Sequence, residues 1–396
     1  MDFLRDFSAG ITMVNRMFSS RSDFLALLLC LPGLTMAQTT PTPSPEPDNP
    51  TLVLRPPGEA HRLPSPISPE GRIHLDVLVS DAGGKPVPGL LPLDFTILDN
   101  NQPRKLLSFR SYDGINVKPA PPVEVILVVD TVNLPFQQIS FIHQEIARFL
   151  RQNSGHLAQP VSLMLLSEAG LRIQPRPSVD GNALLTVLDQ IKGSLHGITS
   201  AMGAEGDLQR LQLSLRQMTA IAENEALRPG RKLLIWVGPG WPMLDSPNFS
   251  FSDKDQRRYF DAIVELSTRM REARMVLYSV APANSVMGAG TRDSLYKEFL
   301  KGVKSPRQSD TGNLALKVLA VQSGGRILGP DNDIVGQIDN CIADANAFYT
   351  LSFNPPAAEH ADEYHDLKVA VSQAGLTVRT NTGYYNQPPT GPEKAN

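Results

Sequence analysis

Apolar and polar residues along this chain change their period twice. From residue 72 they alternate. In "RIHLDVLVS", Ile73, Leu75, Val77 and Val79 fall on one side, and His74, Asp76 and Leu78 on the other. That is the strand period, and Asp81-Ala82-Gly83-Gly84 then supplies turn residues. "LDFTILDNNQPRKLLSFRSY" adds two short strands around the turn Asp99-Asn100-Asn101. From 123 the pattern becomes apolar runs separated by helix-period faces. Runs at 124–129, 161–166, 171–175, 232–237 and 275–280, with a short one at 326–328, are predicted as buried strands. Phe136, Ile139, Ile146, Phe149 and Leu150 mark one helix face. Leu208, Leu211, Leu215, Met218 and Ala222 mark a second, and Ile334, Ile338, Cys341, Ile342 and Ala345 a last one. After 345 the strands return as "AFYTLSFNP", "YHDLKVAVS" and "LTVRTNTGYY".

Buried strands alternating with helices predict a doubly wound α/β fold with a mostly parallel, Rossmann-like sheet over 123–345. The β segments on either side, 72–118 and 346–386, are each small for an independent domain. They are expected to pair into one β-sandwich-like domain with the α/β part inserted. The alternative is two separate β appendages.

The ends of the chain read differently. Arg16 and Arg21 precede the apolar core Phe24 to Leu31, and Thr35-Met36-Ala37 closes it with small residues before Gln38. This is the signature of a cleaved secretory signal over 1–37, and the core is short for a membrane span. Residues 1–15 add nothing to that signal, and Met13 or Met17 is a candidate start. Cys30 raises a lipoprotein reading, against which Leu29 stands where a small residue is wanted. If Cys30 leaves with the signal, Cys341 is the one remaining cysteine and no internal disulfide forms. Residues 38–71 are dense in proline, threonine and serine and read as an extended, disordered linker. Residues 387–396 read as a disordered tail. The implied location is outside the cytoplasm, periplasmic or extracellular, with no integral membrane span after cleavage. A net charge of −3 supplies no electrostatic argument for nucleic acid or an anionic membrane.

The place with the strongest claim to chemistry is "VILVVDTVNLPF", where an apolar strand ends at Asp130 before a helix. Ligands of doubly wound sheets bind outside the carboxyl ends of strands, where strand order reverses. This stretch, with "RKLLIWVGPG" and "LYSVAPA" downstream, resembles a von Willebrand factor A (VWA) domain. The flanks "VLVSDAGGKPVPGLLPLDFTILDNNQPRKLLSF" and "AFYTLSFNPP", with "YHDLKVAVSQAGLTVRTNTGYY" after it, resemble the exported bacterial VWFA-related family, over about residues 72–386.

That resemblance implies a metal-ion-dependent adhesion site. Its pattern is D-x-S-x-S after the first strand, a threonine on a later loop and an aspartate ending the fourth strand. Such a site offers oxygen ligands to Mg²⁺ or Ca²⁺. Asp130 matches the first position, but Val132 and Leu134 stand where the serines belong. Val237-Gly238-Pro239-Gly240 lacks the second carboxylate, and Thr199 in "GITSAMG" is the one candidate for the loop threonine. Three readings follow. Asp130 and Thr199 hold a divalent ion with waters; or Asp130 caps the helix near Pro135 or accepts loop N–H groups; or Asp130, Asn133, Thr199 and the "GPGW" loop make a metal-free contact with a protein partner. Trp241 in that loop either anchors an interface or packs on the following helix.

No arrangement of an enzyme emerges. There is no G-x-S-x-G elbow and no phosphate loop. His360, Asp362, Glu363 and His365 in "HADEYHD" have metal-ligand types but read as hairpin polarity, with His365 entering the following strand. Asp331 and Asp333 read as a cap for the helix at 334. The expectation is an exported, non-enzymatic protein-interaction or adhesion protein with a degenerate adhesion site and no cofactor. The alternatives are a Mg²⁺- or Ca²⁺-dependent ligand-binding protein and an unrecognised hydrolase.

Overall fold

The chain opens its described structure on a short edge strand, β1 (Val53–Arg55), and continues with β2 (Ile73–Ser80), β3 (Phe95–Asp99), β4 (Gln102–Arg104) and β5 (Ser108–Tyr112). These come from a computed structural model that describes residues 53–55, 71–174, 176–189, 203–242, 252–283 and 293–388. All of them belong to one compact unit, Asn49–Asn396. The expected signal at 1–37 and nearly all of the tail at 387–396 lie outside the described residues, as does Thr199.

The α/β part follows as β6 (Glu124–Asp130), α1 (Phe136–Leu150), β7 (His156–Ser167), β8 (Gly170–Ile173), β9 (Ser178–Asp180), α2 (Gly181–Asp189), α3 (Gly203–Ala226), β10 (Lys232–Val237), α4 (Asp253–Glu272), β11 (Met275–Pro282), α5 (Leu316–Gln322), β12 (Ile327–Asp331) and α6 (Ile334–Ile342). Its sheet runs β1-β8-β7-β6-β10-β11-β12, with β9 added against β7. The four pairings from β7 through β12 are parallel, while β1–β8, β8–β7 and β7–β9 are antiparallel. The sheet is therefore mixed, because "SEAG" turns the chain straight back from β7 into the antiparallel β8. β1 lies within the stretch read as disordered linker. "VLR" is the break in the prolines there, and it pairs with β8 from Val53↔Ile173 to Arg55↔Leu171.

Alternation of side chains along β6 gives the sheet a core on each face. Val125, Leu127 and Val129 pack with Ile142 and Ile146 of α1, Leu184 of α2 and Ile338 of α6. Ile126 and Val128 pack with Met218 and Ile221 of α3, Ile263 of α4 and Leu319 of α5. Helices thus cover both faces, which is why every residue of β6 and β10 is buried. Local signals set several boundaries. Ser252 caps α4 by accepting from the Asp255 N–H at 3.2 Å, and Asp333 caps α6 through the Gly336 N–H at 3.0 Å.

The last strands are β13 (Phe348–Phe353), β14 (Glu363–Val371), β15 (Thr377–Arg379) and β16 (Gly383–Asn386). With the early strands they form two antiparallel sheets, β15-β2-β13-β5 and β16-β14-β3-β4. Each sheet takes strands from both sides of the α/β part. Leu75, Val77, Ile97, Tyr349, Leu351, Phe353, Val369 and Tyr384 share one apolar core. Polar anchors tie these sheets to the helical layers. Arg274, at a left-handed φ of 53°, donates to Asp76 of β2 at 3.1 and 2.5 Å. Buried Asp344 accepts from Tyr278 Oη at 2.8 Å and from Arg379 at 2.9 and 2.8 Å.

Candidate functional site

Counting the parallel strands by chain position, the order β7-β6-β10-β11-β12 reverses between β6 and β10. That is the place where an open α/β sheet forms a crevice, and Asp130 ends β6 there. Asp130 is fully buried. Its Oδ1 accepts the backbone N–H groups of Val132 at 3.1 Å and Asn133 at 3.0 Å. Its Oδ2 accepts from Asn133 Nδ2 at 2.8 Å and from the Trp236 indole N–H at 2.9 Å. Of the readings open in the sequence, the geometry is that of a loop anchor. The cap of α1 is Pro135, which makes no side-chain cap bond.

The surroundings follow from the residue types. Val132 and Leu134, where an adhesion site wants hydroxyls, are buried in the apolar cores on opposite faces of the sheet. Thr131 turns its hydroxyl inward to the Leu166 carbonyl at 2.7 Å. Asn133 Nδ2 also reaches Ser214 Oγ of α3 at 3.0 Å, while its Oδ1 has no partner among the described residues. Gly238 allows the close approach of β10, since a Cβ there would stand 3.0 Å from Asp130 Cβ. Trp241 lies edge-on to Trp236, centroids 5.2 Å apart at 79°, and is buried.

Burial pushes the Asp130 carboxyl up to about 6, against the pull of the hydrogen bonds from Asn133, Trp236 and Val132. An ion pair is not among the causes of that shift, so desolvation dominates. This donor set does not fit a divalent cation. Four N–H groups aim at the carboxylate where a cation would need bare oxygens, and positions 132, 134 and 238 bring no side-chain oxygen. Trp241 is likewise packed inside instead of standing on a loop surface, so its direct contact with a partner, and that of Asp130 and Asn133, lacks an exposed group. Among the expected site residues the structure brings Asp130, Asn133 and Trp241 together around Trp236.

A second polar cluster was missed in sequence. Asp99, fully buried at the end of β3, accepts from His365 Nδ1 at 2.7 Å, Tyr384 Oη at 3.0 Å and Arg104 Nε at 3.0 Å. His365 stacks on Tyr384 at 4.9 Å. His365 thus enters the strand, as expected, but with its side chain in the core instead of among solvated hairpin groups. The signal was parity: His365, Leu367 and Val369 share one strand face, as do Phe95, Ile97 and Asp99. His360 is elsewhere, exposed, against the Ala361 carbonyl at 3.0 Å. Among the described residues no group of three His, Cys, Asp or Glu is placed to hold a metal ion. Cys341 is buried, and burial pushes its thiol well up, the state of a packed and unreactive sulfur.

No helix of the described residues is long and apolar enough to cross a membrane. No protein-family model matches the chain. No curated protein matches it either. Among solved structures, the human COPII-coat protein Sec24c is similar over 67% of this chain and 44% of its own, at 9% identity and a TM-score of 0.31. This chain thus spans less than half the length of that neighbour, and a likeness of that size carries no argument about fold or function.

Proposed function

We propose that this chain is an exported, non-enzymatic protein-interaction protein, built on a VWA-like doubly wound α/β domain whose cation site has been replaced by an internal hydrogen-bond network. The observation that carries the reading is the coordination of Asp130. Its two oxygens accept four N–H donors, from Val132, from Asn133 twice, and from Trp236. The carboxylate that would hold an ion in such a domain instead holds the loop and the neighbouring strand. The conspicuous polar clusters join elements of the fold to one another, which supports the non-enzymatic part of the reading. The Asp99 cluster, for instance, bonds β3 to β14 and β16.

The reading is tested by calorimetric titration of the purified chain with Mg²⁺, Mn²⁺ and Ca²⁺. No binding heat is expected from any of the three. Saturable binding at millimolar cation that disappears in Asp130→Asn would replace this reading with the cation-dependent one.

A further inference from the structure

The outer face of the sheet β15-β2-β13-β5 is apolar and covered at one end, charged and open at the other. On β2, Ile73, Leu75 and Val77 turn into the sandwich core, so His74, Asp76 and Leu78 turn outward. Register sets their neighbours. Asp76 lies beside Thr350 of β13, and Thr350 beside Arg110 of β5. One row further out, His74 lies beside Ser352, and Ser352 beside Ser108. In the other direction Leu78, Phe348 and Tyr112 join the α/β core, which closes that end. The cover thins from there: Asp76 is buried, Thr350 is half-buried, and His74, Ser108 and Arg110 are exposed.

The α/β part adds cations to this face where α4 ends. Arg274 donates to Asp76 through two nitrogens and to Thr350 Oγ1 at 3.4 Å. The Thr350 hydroxyl donates to Asp76 as well, at 3.1 Å. Asp76 is thereby fully engaged, and it is the one carboxylate among the outward residues of β2, β13 and β5. Arg271 has Glu272 at 3.9 Å. Arg110 has one bond, to the Tyr112 hydroxyl at 3.4 Å, and no carboxylate partner among the described residues. Burial holds the His74 imidazole below its ordinary value, and Arg274, Arg72 and Arg271 lower it further against the opposing Asp76. The cations around this exposed histidine therefore outweigh the carboxylate beside it.

We infer that this face docks an extended acidic segment of a partner protein, laid across β2, β13 and β5 between His74 and Arg110. Charge selects the occupant. Arg72, Arg110, Arg271, Arg274 and His74 stand against Asp76 and Glu272, and both carboxylates already have a cation beside them. Surfaces that meet are complementary in sign, so the partner supplies carboxylates. Spacing selects the shape. His74 and Arg110 lie on strands two apart, about 10 Å, which is the separation of carboxylates about three residues apart in an extended chain. Ser108 and Ser352 share one hydrogen bond at 2.5 Å, so one hydroxyl proton of the pair is left to donate to an incoming oxygen. Arg274 stands over a face closed at one end by the α/β part, where a narrow chain reaches and a bilayer does not.

This deepens the interaction reading and rests on it. The cation titration at Asp130 tests that reading, and a failure on this face leaves its result standing. The test uses the purified chain and a fluorescein-labelled heptapeptide of glutamate and serine, followed by anisotropy and by the His74 ring signals in a proton spectrum. Binding is expected at low salt and should weaken about tenfold or more as salt rises to about 0.2 M. Arg110→Glu, with its melting temperature unchanged, should weaken the peptide about tenfold and favour a lysine counterpart. Bound carboxylates should raise the titration midpoint of His74, so binding should tighten about threefold or more from about pH 7.5 to 5.5. His74→Gln should bind the peptide with that dependence gone. No binding at low salt, equal binding to Arg110→Glu, or a His74 midpoint that the peptide does not move overturns the proposal. Binding of heparin or of anionic phosphatidylserine vesicles where the peptide fails overturns it too. So does a dimer by sedimentation that the Arg110→Glu chain no longer forms, since a second copy then occupies the face.

Discussion

At Asp130 one carboxylate receives four N–H donors, and replacing it asks which of them lose their acceptor. Asp130→Asn puts an amide N–H₂ where two donors already point, so about 2 kcal/mol of stability should be lost, read as a fall of roughly 5 °C in Tm. The pH dependence of that penalty has a definite sign. The folded carboxyl is raised to about 6 from 3.8, so between those values the folded state binds more protons than the unfolded one. Stability contributed by this group is fully present below about 4 and is lost as pH rises through about 6. The difference in unfolding free energy between wild type and Asp130→Asn should therefore shrink from pH 4 to pH 7, as followed by urea denaturation. A difference that grows over that range would mean the hydrogen bonds outweigh burial. Trp241→Ala should cost about 3–5 kcal/mol, because it empties a buried site against Trp236. Thermal denaturation showing no loss would place that ring outside the core. The Asp130 position was legible in the sequence because an apolar run stopping at an aspartate marks a strand end. The fate of its oxygens was not, since Trp236 is 106 residues away and only the β6–β10 register brings it alongside.

The strands and helices themselves were legible wherever burial imposed a period. "KLLIWV" and "VILVVD" are buried along their whole length and run as near-continuous apolar stretches. What escaped was set by single residues or by distant pairing. β7 begins at His156, upstream of the apolar run and across Pro160, because β9 gives its start a partner. β1 is three residues long and exists as an edge only because β8 turns back beside it. Elements are also joined through charged side chains that no periodicity reveals. Arg274, following α4, holds Asp76 of β2, whose side chain is almost wholly buried. Asp76→Ala should cost about 2–4 kcal/mol, and a double-mutant cycle with Arg274→Ala in urea should return a clear coupling between the two. Additive losses would show that the pair only fills space.

On the scale of the whole chain, the residues before 123 and after 345 complete each other's sheets. β2 lies beside β13, and β3 beside β14. A chain ending at 345 would leave Leu75, Val77, Phe95 and Ile97 without Leu351, Phe353 and Val369 over them. Such a truncation should bind a hydrophobic dye and lose cooperative melting of its β strands, whereas an unaffected transition would show that the early strands stand alone. The same organisation keeps the strand-end position off the surface, with Asp130 fully buried.

The central claim is that Asp130 is an internal acceptor and not a ligand of an ion, and the chain reports on it directly. It has two tryptophans; the Trp236 indole N–H is bonded to Asp130, and that of Trp241 has no partner among the described residues. In a proton–nitrogen correlation spectrum, the account predicts one indole N–H that is shifted downfield and slow to exchange with solvent. It should not move on addition of millimolar Mg²⁺ or Ca²⁺. A cation-induced shift or loss of protection of that signal, absent in Asp130→Asn, would contradict it.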